Sequence, residues 1–167
     1  MSLWFWILKP KCLCLKIIKS LNMLVVVRIN QCLVGGGTVA ACAYRAWGLN
    51  RLLTDATLRN SSKYLVALNG SVVEGIFCIK GVAPDPLPGR VQFAIEPVSR
   101  ECFLALEPAI SDIYHNTRLI KMVQRARYIN EEHFRISGIS IPEIKCCDLG
   151  NIPVLEPNQI EQYQRPI

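Results

Sequence analysis

At 167 residues and 18.8 kDa the chain has room for one domain with a substantial core, and not for two comfortable ones. A hydrophobic fraction of 51% against 19% charged residues excludes a wholly disordered chain. The net charge of +6 and the pI near 9.0 invite a polyanion as partner, although a mean value does not say where the charge lies.

Residues 1–22 hold Lys9, Lys11, Lys16 and Lys19 and no acid, which is +4 of the total and leaves +2 for residues 23–167. The apolar run Met1 to Leu8 precedes these lysines, the reverse of the order in a secretory signal. No window of 18 apolar residues is free of charge, so no membrane-spanning segment is expected. Trp4, Phe5 and Trp6 beside lysines would suit an anionic lipid surface. The simpler expectation is that the natural chain begins at Met23, where a strand-like run starts at once, and that residues 1–22 are a leader not native to it.

The run Leu24 to Ile29 is β-branched and of strand length, closed by Asn30 and the flexible Gly35-Gly36-Gly37. No Gly-Lys-Ser/Thr follows those glycines, so they are not a nucleotide loop. Thr38 is a suitable cap for a helix from Val39 to about Trp47, and Asn50 for a second from Arg51 to Leu58. Asn69-Gly70 between two apolar runs, Tyr64 to Leu68 and Val72 to Ile79, predicts a β-hairpin, because those residues tolerate the positive φ angles of a tight turn. Pro84, Pro86 and Pro88 predict an extended loop. Val91, Phe93 and Ile95, alternating with Gln92 and Glu96, predict a half-buried strand with one wet face. Ser99 opens a helix to Tyr114 with Phe103, Leu106 and Ile110 on one side, which Pro108 should kink. Leu119 to Val123 and Arg127 to Ile129 are candidate closing strands, and the proline-containing tail after Asn130 reads as a peripheral arm. The expected organisation is a leader over residues 1–22, one domain over 23–130 and an arm over 131–167. Its fold class is α+β, a small curled sheet or barrel with two or three peripheral helices.

Eight cysteines stand at positions 12, 14, 32, 42, 78, 102, 146 and 147. Cys12-x-Cys14, the adjacent Cys146 and Cys147 and two distant histidines lack the paired spacing of a zinc site, so neither a metal nor a cofactor is expected. Without an export signal the reducing cytoplasm is the expected location, with the cysteines acting as small buried hydrophobes. Asn60-Ser61-Ser62 and Asn69-Gly70-Ser71 match the glycosylation tripeptide, and without export they are chance matches.

The stretches Tyr44-Arg45-Ala46-Trp47, Lys63 to Phe77, Gly89-Arg90-Val91-Gln92-Phe93 and Gln124 to Asn130 together resemble a module that occurs alone in bacterial proteins and behind LEM-type GIY-YIG endonuclease domains. The resemblance spans residues 23–130. It implies a PUA-like architecture of the ASCH or EVE kind, and with it recognition of RNA or of modified bases in DNA. The chain departs from the module at Gly35 to Gly37, where an acidic helix start is usual. It departs again near Pro84 and at Val91, where tryptophan is usual, and at Arg125-Ala126, where Asn-Pro is usual. The nuclease residues are absent, so no nuclease activity is implied.

The residues point to nucleic acid on their own account. Arg118, Lys121, Arg125 and Arg127 place four cations between Ile113 and Asn130 with no acid among them, beside Tyr114, His115 and Tyr128. Cations hold phosphates and aromatic faces stack on splayed bases, although such a run can also be a solvated edge that protects a strand from aggregation. Trp47 could line a base pocket, against the commoner fate of a core tryptophan. His115 and His133 form no pattern with Cys102, Glu101 or Glu131, so catalysis is not expected. The leading expectation is a non-catalytic nucleic-acid-binding module, using Arg118, Lys121, Arg125, Arg127, Tyr128 and Trp47 toward RNA or DNA. The alternative is a protein-interaction or homo-oligomeric assembly subunit, and a third reading is a small-molecule pocket in a barrel mouth.

Overall fold

The computed structural model describes residues 23–45, 47–116, 126–129, 138, 147 and 150–163. The leader and the candidate strand Leu119 to Val123 lie outside the described residues. So does any lipid contact made through residues 1–22.

Strand β1 (Met23–Arg28) is followed by two short helices, α1 (Asn30–Val34) and α2 (Val39–Ala43), and then by α3 (Arg51–Thr54) and α4 (Ala56–Ser61). Strands β2 (Ser62–Asn69), β3 (Val72–Pro84) and β4 (Val91–Pro97) come next, followed by the long helix α5 (Arg100–Asn116), strand β5 (Ala126–Ile129) and α6 (Pro157–Ile160). The sheet order is β4-β3-β2-β1-β5. β1 and β2 are parallel, and the other neighbours are antiparallel. A parallel pair needs a long crossover, and residues 29–61 with their four helices supply it. The fold is α+β, and the sheet is open: β4 and β5 are its two ends, so the barrel alternative does not hold.

Covering both faces of the sheet explains why its central strands read as continuous apolar runs. Val25, Val27, Leu65 and Ala67 face one core with Cys42, Trp47 and Leu52 from the crossover. Leu24, Val26, Val66 and Leu68 face the other, with Leu106, Ile110 and Ile113 of α5. The Ser99 hydroxyl caps α5 by accepting from Cys102 N at 3.2 Å. Pro108 does not break this helix. It is exposed, and the carbonyl its missing N–H would have engaged belongs to Leu104, itself 61% exposed, so water can satisfy it.

Several local expectations shift for tertiary reasons. The Thr38 hydroxyl does cap a helix, accepting from Ala41 N at 3.2 Å, but α2 ends at Ala43 rather than near Trp47. The chain leaves the helix there to run along the outer edge of β4: Trp47 N and O bond Val91 O and N, and Phe93 N donates to Tyr44 O. The second helix divides in two because Asp55 caps its latter half, accepting from Leu58 N at 3.0 Å. The hairpin forms with Gly70 at φ +62°, but Asn69 is the last residue of β2, so Gly70 and Ser71 make the loop. β4 has no wet face through its first five residues. Gln92 is 5% exposed and donates to Pro84 O, while Ala94 packs with Ile160.

The described stretch of the tail, residues 150–163, packs onto the sheet and is not peripheral to it. Val82 N donates to Pro153 O at 3.0 Å and Leu155 N to Val82 O at 2.7 Å, so the tail takes the place beside the far half of β3 that β2 occupies beside the near half. Gly81 permits this approach, since a Cβ there would run into the Leu155 side chain. Ile152 and Ile160 are buried at 4% and 1% exposure. Arg59 donates to Ile152 O, and Asn60 Oδ1 accepts from Ile152 N.

The cysteines do not behave as free buried thiols. Cys32 is joined to Cys42 and Cys78 to Cys147, and Cys102 is disulfide-bonded to a partner outside the described residues. The expectation of small buried thiols, which followed from a reducing location, is thereby corrected. By loop-closure entropy, a link across 69 residues stabilises by about 4 kcal/mol and one across 10 by about 3. The first fastens the tail to β3 and the second fastens α1 to α2. Among the described residues, no helix is long and apolar enough to cross a membrane.

Candidate nucleic-acid interface

The six residues expected at the interface separate into three groups. Arg118, Lys121 and Arg125 lie outside the described residues. Arg127 and Tyr128 stand on β5, opposite Val26 and Val25 of β1. Trp47 lies beyond the other end of the sheet, bridged to Val91 on β4. Four strand spacings, roughly 19 Å along the sheet, separate β4 from β5.

Local geometry commits Trp47 to the interior and packs Tyr128 partly against it. Trp47 is 9% exposed, and its indole N–H donates to Ala43 O at 2.7 Å, closing the turn that follows α2. The Trp47 ring therefore has neither a free face for stacking nor a free donor for a base edge. Tyr128 is half-buried against the same core. Its hydroxyl is buried with no hydrogen-bond partner among the described residues. Burial raises the Tyr128 pKa above the usual phenol value. The charge of Asp55 acts in the same sense and that of Arg51 opposes it.

The described part of the domain carries as many cations as carboxylates, and several are paired within it. Arg51 meets Asp55 at 3.5 Å and Lys80 meets Glu96 at 3.7 Å. Arg45 Nε donates to Asp85 at 3.3 Å; the Asp85 side chain is fully buried and also accepts from Leu87 N. This carboxylate holds the proline loop closed, and its hydrogen bond raises the Arg45 pKa further. Arg59 is spent on three carbonyls, those of Leu52, Leu53 and Ile152. These cations brace loops and the tail, so a phosphate would have to displace existing partners to use them.

Lys63 is the residue that sequence inspection missed altogether. It is 4% exposed and donates to Gly150 O, and no carboxylate among the described residues pairs with it. Desolvation lowers its pKa below the usual lysine value. Its place at the start of β2, after a polar run, gave no sign of burial. The tail supplies the acceptor for its ammonium group. Between the lowered folded pKa and the unfolded value of 10.5, the unfolded chain binds more protons, so this group makes stability rise with pH across that window. The stability of the wild type relative to Lys63→Met is therefore expected to increase from neutral pH toward pH 10. Urea unfolding at both pH values checks this, and a difference that stays flat or shrinks would count against burial of the charge.

Cys102 is in a disulfide and has no thiolate to offer. Among the described residues, no cluster of three His, Cys, Asp or Glu side chains could hold a metal ion. No protein-family model, no curated protein and no solved structure matches the chain.

Proposed function

We propose that the chain is a non-catalytic nucleic-acid-binding module that holds phosphates through Arg118, Lys121, Arg125 and Arg127. The observation that carries this reading is the contrast in charge. The described domain is balanced and its cations are largely engaged, while four cations without an intervening acid lead into β5, an end strand of the open sheet. Trp47 drops out of the site as a stacking platform, which favours backbone contact over base reading. The PUA-like kinship, with its modified-base specificity, belongs to this reading as an analogy of sequence and does not carry it. Cytoplasmic residence belongs to it as well, as the place where RNA and DNA are met.

Fluorescence anisotropy with a single-stranded 20-mer tests the proposal. Four phosphate contacts give an expected slope of about −3 for log K against log salt. Arg118→Glu with Arg125→Glu should shift that slope toward zero by about 1.4. Absence of binding at low salt, or a slope indifferent to the double substitution, would overturn the reading.

A further inference from the structure

Of the two disulfides whose partners are both described, one lies within the fold and the other joins an exposed cysteine to a buried one. Cys78 is 5% exposed in the middle of β3, and Cys147 carries the tail to it across 69 residues. Cys32, by contrast, is exposed on α1, a five-residue helix with no buried residue. Its partner Cys42 is 5% exposed and belongs to the core through α2. Between them run Gly35, Gly36 and Gly37, the glycines that fit no nucleotide loop. Gly36 sits at φ +88°, where other residues are strained. A Cβ on Gly37 would stand 2.6 Å from Cys42 Sγ and 2.9 Å from Cys32 Sγ, so the chain folds directly over the sulfurs only because that residue is glycine. Apart from the disulfide, α1 is held by the half-buried Leu33 and by Asn30 Oδ1, which accepts from Gly70 N at 3.0 Å.

We infer that Cys32–Cys42 is a thiol–disulfide exchange site for an external dithiol, and that its reduction releases α1 and the glycine loop from the domain. Exchange requires in-line access of a thiolate to one sulfur, and exposed disulfides are the labile ones. A thiolate of the dithiol attacks Cys32 Sγ, and the S–S bond breaks with its electron pair leaving on Cys42 Sγ. The second thiol of the reductant then attacks the mixed disulfide and expels Cys32 as thiolate. The dithiol ends as a cyclic disulfide, having given two electrons to the protein. Its two protons end on Cys32 and Cys42. With the link gone, a helix without buried residues, followed by three glycines, has little left to order it.

The experiment is a graded dithiothreitol titration of the full-length protein, quenched with N-ethylmaleimide and read by peptide mass spectrometry. Cys32 and Cys42 should take label at concentrations at least tenfold below those needed for Cys78 and Cys147. Chymotryptic cleavage at Leu33 should speed up at least tenfold over the same range, and should be as fast without reductant in Cys32→Ser. Equal or earlier labelling of Cys78, full labelling of Cys32 and Cys42 before any reductant is added, or cleavage indifferent to reduction would each overturn the inference.

Discussion

Replacement of Trp47 by alanine is expected to lower the unfolding free energy by about 3–5 kcal/mol, the range for truncating a large buried aromatic side chain. The ring is 9% exposed in the core beneath the crossover helices, and its N–H satisfies Ala43 O at 2.7 Å, so a cavity and an unpaired carbonyl are created together. The backbone at this position is equally engaged, because Trp47 and Val91 exchange both of their main-chain hydrogen bonds. Trp47→Phe keeps most of the volume and should recover the larger part of the loss. Urea unfolding followed by far-ultraviolet circular dichroism measures the difference. Oligonucleotide affinity, measured below the unfolding transition, should be unchanged in Trp47→Phe. A tryptophan serving as a base platform would give the opposite pattern, with stability nearly intact and affinity reduced.

Ile160→Ala is expected to cost about 2–5 kcal/mol, as much as a substitution in the centre of the sheet. Ile160 is 1% exposed and packs on Ala83 of β3 and Ala94 of β4, where those two small residues leave room for it. Its helix is positioned by a reciprocal cap, in which Glu156 N donates to Gln159 Oε1 while the Glu156 side chain accepts from the Gln159 backbone. A tail that merely hung from the domain would tolerate the substitution within about 0.5 kcal/mol, as surface positions do. Thermal and urea unfolding of the full chain distinguish the two cases.

The parts of the fold that were legible in the sequence are those set by neighbours along the chain. The apolar run of β1, the Thr38 and Ser99 caps, the tight hairpin near Gly70 and the buried stripe Leu106, Ile110 on α5 depend on spacing and local backbone preference, and each is present. The candidate site was legible only as a run of cations, since charge order is a property of the chain and the fate of an aromatic ring is not. Trp47 looks the same in sequence whether it stacks on a base or fills a core. The edge of β4, supplied by residues more than forty positions later, decides for the core.

What the sequence determined by itself is therefore an α+β fold with its strands, caps and hairpin, together with a local concentration of positive charge in a nearly neutral body. Only the tertiary structure decided that the sheet stays open, that both faces of β4 are covered, that the tail is part of the core and that the cysteines pair. The physical reason is common to all four. Burial and disulfide pairing depend on which distant segments meet, and neither periodicity nor local propensity carries that information across the 69 residues between Cys78 and Cys147.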